Sequence, residues 1–322
     1  MEQHFILTAI GDVIMDIALS LPVSSDATTE KKEICFTSGS KVLVDTAGFY
    51  LGGNACNLAV GLKRLGFATT LIAEFGSDAF AKQMRQELQK EQVSLDYAKI
   101  TEGAQSTFSV GLQLHQERTL FVHHVARDHI FPLDTLQTEW IYLTSLGREW
   151  KTLYRQVLSY KHAHNVLLAL NPGTQQLADG SESFTDLLAE TDILFVNKEE
   201  AEKILYGTVV SAEKKEKEAN LLFRLCRMGV KKVCVTDGEN GSFFMDEQGS
   251  LMHQPAVKPK EYKGKTGAGD AYATGFLGAH ISGMSTKEAM VWGSVNASSV
   301  IEHIGAQTGL LTKGALEEKI KA

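Results

Sequence analysis

The stretch Lys265-Thr266-Gly267-Ala268-Gly269-Asp270-Ala271-Tyr272-Ala273-Thr274-Gly275-Phe276 crowds two glycines against one carboxylate and then runs on into small and apolar residues. Ala271, Ala273, Phe276, Leu277 and Ala279 read as a tightly packed helix, so the pattern predicts a loop feeding a helix N-terminus. The first N–H groups of such a helix have no intrahelical acceptors, and the helix dipole adds partial positive charge, so the junction attracts an anion such as a phosphoryl group. A carboxylate at that seat is electrostatically out of place unless it has a role, and capping the helix is the simplest one for Asp270. The stretch is not a P-loop. Gly264-Lys265-Thr266 supplies the end of GxxxxGK[ST], but the glycine required five positions earlier is Pro259.

Around this stretch lie 322 residues, 43% hydrophobic and 22% charged, enough for a large core in one α/β domain or two. With 32 basic against 39 acidic residues, a net charge of −7 and no basic block, the composition argues against nucleic-acid and anionic-membrane partners. Cys35, Cys56, Cys226 and Cys234 lie far apart with no CxxC pair, and Met1-Glu2-Gln3-His4 is acidic and polar. A reduced, cytoplasmic protein is expected. The longest apolar runs, such as Val166 to Leu170, are too short to span a bilayer.

Toward the N-terminus, Phe5 to Ile10 reads as a buried strand, followed by Gly11-Asp12 and a second apolar piece carrying Asp16. An acid there faces the crevice where open α/β sheets bind ligands, a turn or solvent-facing Asp being the alternative. After a polar loop from Ser24 to Lys32, short strands are predicted at Glu33 to Phe36 and Lys41 to Val44 around Ser38-Gly39-Ser40. Gly52-Gly53-Asn54-Ala55-Cys56-Asn57 then opens a helix whose Leu58, Leu62 and Leu65 share a face and whose end is marked by Gly66. Backbone at Gly52 and Gly53 can approach a ligand closely. A strand at Thr69 to Ala73 and a helix at Ala79 to Lys90 continue a βαβ pattern. It breaks where Phe108, Val110, Leu112 and Leu114 alternate with polar residues, pass the tip His115-Gln116-Glu117-Arg118, and resume at Leu120 and Val122. Together these strands predict a small sheet over about residues 33–50 and 107–125, standing off the body as a lid. Arg118, Arg127 and the histidines nearby could touch substrate there, but they read first as solvated strand residues. From Trp140 the alternation returns, with strands near 141–144, 166–170, 193–196 and 232–235. The chain therefore reads as α/β, a single domain over residues 1–322 with a mostly parallel, doubly wound sheet, helices on both faces, and the lid.

Three segments carry a resemblance. Gly52-Gly53-Asn54-Ala55-Cys56-Asn57 through Gly66 resembles the first signature of the ribokinase-like, or PfkB, carbohydrate kinases, and Thr266-Gly267-Ala268-Gly269-Asp270 resembles the second. Asn197-Lys198-Glu199-Glu200 is similar to their NxxE element. Asp16, the Thr236-x-Gly238-x-x-Gly241 run and Gly305-Ala306 are smaller echoes in the right order. The resemblance implies transfer of the γ-phosphoryl of ATP to a hydroxyl of a sugar or sugar-like molecule. Asp270 would be the base and the N–H groups of Gly267, Ala268 and Gly269 the anion hole. Asn197 and Glu200 would position Mg²⁺, a helix cap being the alternative. It further implies that Thr236, Gly238, Gly241 and, more weakly, Asn296 line the ATP site, and that Asp16, Gly53 and Asn57 hold the acceptor.

The chain departs from the family pattern at three places. Asn54 stands where ribokinases usually carry Lys, and Asn171-Pro172-Gly173-Thr174 lacks a following Arg, which leaves the acceptor open. Gly264 replaces the Asp of the usual Asp-Thr-Thr, removing the formal charge of a monovalent-cation site. Lys265 is then read either as a fixed substitute for that ion or as a solvated lysine. The alternatives to a sugar kinase are a nucleoside kinase and a catalytically silent binding protein of the same fold. A Rossmann dehydrogenase is disfavoured because Gly11-Asp12-Val13-Ile14-Met15-Asp16 contains no GxGxxG. Strand edges of the lid would also suit a homodimer.

Overall fold

Alternating strand and helix signals assemble into an eight-stranded sheet in the computed structural model, which describes residues 5–21, 28–30, 33–114, 117–209 and 217–321. Across the sheet the strands run Leu251–Gln254, Ser242–Asp246, Lys232–Thr236, Ile193–Asn197, Leu167–Leu170, Thr138–Leu143, Phe5–Ile10 and Thr69–Ile72. From Lys232–Thr236 onward neighbours pair in parallel, whereas Ser242–Asp246 and Leu251–Gln254 extend one edge antiparallel. Alternate residues of each strand enter opposite cores. Leu7, Tyr142, Phe195 and Phe244 face one, and Ile10, Leu143, Val196 and Val235 the other. Helices cover both faces, which is why the central strands read as continuous apolar runs.

The helix that begins the decisive stretch spans Ala268–Ile281, and every residue from Asp270 to Ala279 is buried. Small residues allow this. A Cβ on Gly275 would lie 2.5 Å from the Trp292 carbonyl of the Thr286–Ile301 helix, and one on Gly61 of the Asn54–Arg64 helix 2.5 Å from Thr274 Cγ2. Phe276 fills the face toward the sheet, edge-on to Phe195 and stacked with Phe244. Close packing of these helices fixes the height of their N-termini above the sheet.

A separate four-stranded sheet stands beside the body in the order Glu117–His123, Phe108–Leu114, Ile14–Ser20, Thr46–Gly52. The hairpin at 108–123 is where the alternation placed it, although its tip residues His115 and Gln116 lie outside the described residues, as does most of the Ser24–Lys32 loop. The other strands differ from the expectation. Lys41 to Val44 forms no strand, and its Val42, Leu43 and Val44 are exposed. Among the described residues Glu33–Cys35 pairs with Thr28–Glu30 in a two-stranded ribbon and does not join the four-stranded sheet. The places in the sheet go to Thr46–Gly52 and to Ile14–Ser20, which leaves the main sheet after Gly11-Asp12 and pairs with both Thr46–Gly52 and Phe108–Leu114. Apolar content marked all these pieces as extended, but long-range pairing decided which of them found partners. Phe49 and Phe108 of this sheet flank Phe80 of the Ala79–Lys90 helix and join it to the body.

Candidate active site

At the head of the Ala268–Ile281 helix, Gly267 is the N-cap with φ 79°, and a Cβ there would lie 2.5 Å from Ala306 Cβ. Only glycine fits both the left-handed backbone and the contact. The Ala268 N–H turns back to the Lys265 carbonyl at 3.2 Å, while no protein acceptor takes the N–H of Gly267 or Gly269 among the described residues. Of the three N–H groups expected to form the anion hole, Gly267 and Gly269 are therefore free for it. Ala268 is engaged because the tight turn before the helix brings it under Lys265.

Asp270 sits in the first turn with its side chain nearly enclosed. Its Oδ2 accepts from Asn57 Nδ2 at 2.7 Å, and the Asn57 Oδ1 accepts in turn from Gln307 Nε2 at 2.9 Å. Asp270 therefore does not cap its helix: no side chain performs that role. Burial pushes its carboxyl up to about 7, Asn57 pulls it down, and Glu200 adds to the rise. The Gln307 segment is itself held, because Arg64 donates to the Gln307 and Leu310 carbonyls at 2.7 and 3.0 Å while pairing with Glu91.

Beside Asp270 a cavity is lined by Asn54, Asn171, Asn197, Glu200, Thr236, Gly267 and Gly269. Asn197 ends a parallel strand and caps the Lys198–Tyr206 helix. Its Oδ1 accepts from the Glu200 N–H and Glu200 Oε2 accepts from the Asn197 N–H, both at 2.9 Å. The cap and the placement beside the cavity thus coexist. Both side chains still border the cavity, and burial raises the Glu200 carboxyl above its ordinary range against the pull of its bonds to Asn197. Among the described residues, no three His, Cys, Asp or Glu side chains converge on a metal position. A metal here would depend on phosphate oxygens and water for most of its ligands, which suits Mg²⁺.

A second cleft runs along Thr236, Gly238, Gly241, Ala268, Gly269 and Ser298, with Ser294 and Ala297 also in its wall. Gly241 has φ 86°, and a Cβ on it would lie 2.1 Å from the Gln254 carbonyl. Asn296 does not line this cleft. It is wholly buried, donating to the Ala271 carbonyl at 2.8 Å and accepting from the Leu311 N–H at 3.0 Å. The same helix instead presents Ser294, Ala297 and Ser298, since a rotation of 100° per residue turns Asn296 inward.

The remaining expected residues lie toward the small sheet. Asp16 accepts a hydrogen bond from the Ser109 hydroxyl. Burial raises its carboxyl, and both that bond and the Arg118 charge lower it. Gly53, at φ 100°, puts its Cα against the end of the first strand, where a Cβ would lie 2.3 Å from the Asp12 carbonyl. Asn57, at the second turn of the same helix, faces Asp270. Asp16, Arg118, Lys263, Lys265, Thr266 and His303 line one pocket between the small sheet and the loop that enters the decisive helix.

Residues 14–313 match the pfkB family of carbohydrate kinases. The chain belongs to that family. It is an ATP-dependent kinase of the PfkB type. An ATP-dependent 6-phosphofructokinase of Thermoanaerobacterium thermosaccharolyticum is 24% identical, covering 81% of this chain and 82% of its own length. A nucleoside kinase of Methanocaldococcus jannaschii is 25% identical over 88% and 89%. In fold this PfkB kinase matches Arabidopsis thaliana ribokinase complexed with ribose and ATP, with a TM-score of 0.81 at 20% identity over 99% of this chain and 100% of that one.

The structure adds detail at three residues around these pockets. Arg118 is half-buried and donates to the Thr266 hydroxyl at 2.6 Å rather than lying free in solvent. Gln307 completes the chain of amides behind Asp270. Asp12, following the first strand, is buried, its carboxyl pushed up to about 7 by desolvation against the pull of Arg127, with His124 at 3.6 Å. The only signals in the sequence were an Arg breaking an apolar alternation and an acid after Gly11.

Proposed function

We propose that this kinase phosphorylates a hydroxyl of a sugar or sugar-like acceptor held against Asp16, Gly53 and Asn57, with Asp270 as general base. The observation that carries this reading is the Asp270 carboxyl, buried at a helix N-terminus beside unpaired N–H groups, with Asn57 holding Oδ2 and no partner on Oδ1 among the described residues. An incoming hydroxyl can donate to Oδ1, and a carboxyl pushed up to about 7 is a stronger base than an ordinary Asp near neutral pH. The N–H groups of Gly267 and Gly269 face charge that develops on the transferred phosphoryl. ATP would lie along Thr236, Gly238 and Gly241. Mg²⁺ would be held by Asn197 and Glu200, and when bound it supplies positive charge to the phosphates.

Lys265 lines the pocket containing Asp16 and Arg118, not the cavity containing Gly269 and Asp270, so we assign it to the acceptor side. Gly264 contributes no carboxylate for a monovalent ion, and K⁺ independence remains our reading of this site. The small sheet would act as the lid. Leu120, Phe121 and Val122 are exposed on its edge strand and offer the surface for a second copy of the chain. An acceptor screen of sugars, sugar derivatives and nucleosides with Mg-ATP, repeated in K⁺, Na⁺ and a bulky organic cation, tests the proposal. Turnover of a sugar-like acceptor at similar rates in all three salts is expected. Exclusive turnover of nucleosides, or no turnover at all, would overturn the acceptor assignment, and strong stimulation by K⁺ would overturn the cation assignment.

A further inference from the structure

The pocket beneath the small sheet carries an excess of positive charge around a single acid. Arg118 reaches it from the lid, and Lys263 and Lys265 from the loop entering the Ala268–Ile281 helix; Asp16 is the acid. Arg118 is half-buried, with its guanidinium over Gly111, where a Cβ would lie 2.4 Å from Nε. Its Nη1 is held by Thr266 Oγ1 at 2.6 Å, and no carboxylate lies within ion-pair distance of it among the described residues. The Lys265 side chain makes no hydrogen bond or ion pair among the described residues. Lys263 shares its charge with Glu261 at 3.2 Å, but both are well exposed and weakly coupled. His303 Nδ1–H donates to the Ser299 carbonyl at 2.9 Å, so Nε2 is the ring atom left for a ligand.

Asp16 shares the pocket and its charge couples to Arg118 from beyond ion-pair distance; a partly desolvated guanidinium compensated only at that range keeps a planar donor edge that matches the oxygens of a phosphate or carboxylate. From this geometry we infer that the acceptor is anionic, a sugar phosphate or sugar acid, whose charged group sits between Arg118 and Lys265 while Asp16 takes its hydroxyls. This rests on the kinase reading above and deepens it. The same loop that carries Lys263, Lys265 and Thr266 runs directly into Gly267–Asp270, so an anion anchored here sets the rest of the acceptor toward the base. A neutral sugar would leave the three cations of the pocket lining balanced by Asp16 alone, and discrimination of at least about tenfold follows from one charged hydrogen-bonded contact.

The test uses the full chain and matched probes: fructose, fructose 6-phosphate and gluconate, with ribose and ribose 5-phosphate as a second series. Calorimetric affinity without ATP and kcat/KM with Mg-ATP are measured for the wild type, Arg118→Gln and the exposed-site variant Lys265→Gln. A charged probe is expected to bind at least tenfold more tightly than its neutral parent, with affinity falling as salt rises. Both substitutions should shrink that ratio, and the phosphate and carboxylate arms show which anion is recognised. Charged probes that bind no better than their parents, or a ratio unchanged in both variants, overturn the inference. Charge-dependent binding without any phosphoryl transfer would uphold it while overturning the kinase reading. Turnover of neutral sugars without preference for charged ones would do the reverse.

Discussion

Asp270, Asn57 and Gln307 form a line of contacts in which each side chain sets the next. Gln307 donates to Asn57 Oδ1 and so fixes the amide with Nδ2 toward the carboxylate. Asp270→Asn is expected to lower kcat by about 10²-fold or more while leaving ATP affinity unchanged, since the base acts on the acceptor. Steady-state rates and nucleotide titration check both halves, and retention of a tenth of the wild-type rate would remove Asp270 from that role. For the wild type, kcat/KM should rise with pH through about 7, as the buried carboxyl loses its proton. The same shift affects stability. A carboxyl raised from 3.8 to about 7 in the folded state stabilises the protein fully below 3.8, and that contribution is lost as pH rises through 7. At about 1.4 kcal/mol per pKa unit the loss is on the order of a few kcal/mol, so Asp270→Asn should melt higher than wild type at pH 8 and no higher at pH 4. Gln307→Leu frees the Asn57 amide to turn its oxygen toward Asp270. Its pH-rate midpoint is therefore expected to move upward with the nucleotide KM unaffected, and a fall in kcat at an unchanged midpoint would make Gln307 merely structural.

The element that matters most is the junction at Gly267, where a loop, a helix N-terminus and the Gly305-Ala306 segment meet. Gly267→Ala would have to hold a left-handed φ and push a methyl to within 2.5 Å of Ala306 Cβ. Backbone strain there costs about 1–3 kcal/mol and moves the first N–H groups away from the phosphoryl seat. A drop in kcat of about 10²-fold or more is expected, as for loss of one oxyanion donor. Melting curves separate this from unfolding: a folded variant with wild-type kcat would show that the N–H groups at this junction do not stabilise the transition state.

For the whole molecule, the small sheet is connected to the body by the Phe49–Phe80–Phe108 contacts, by Arg118 on Thr266 and by the chain running through Ile14–Ser20. Met15 and Leu51 also pack into the main core and Gln113 donates to the Lys263 carbonyl, so any movement of the sheet would be one of its outer strands, and closing those over the acceptor would exclude water as a competing nucleophile. Hydrogen exchange should show added protection at 14–20, 46–52, 108–114 and 118–123 when a turned-over acceptor is bound. Equal protection with and without acceptor would mean that the sheet is fixed.

From sequence alone came the α/β class, the helix starting near Gly267 and the helix opened by Gly52-Gly53, while the grouping of Asp270 with Asn197, Glu200 and Thr236 came only through the family resemblance. These were legible because they are local: glycines at tight junctions, a carboxylate in a first turn, apolar runs of strand length. Tertiary structure alone decided that Thr46–Gly52, not Lys41 to Val44, joins the small sheet, since strand pairing links residues far apart in the chain. It also turned Asn296 inward, withdrew the Ala268 N–H into the turn, and brought Gln307 to Asn57 across 250 positions. Most tellingly, Arg118 reads as a solvated strand residue in the linear pattern, and becomes a half-buried cation at the acceptor pocket only because the lid folds back over the loop that enters the Asp270 helix.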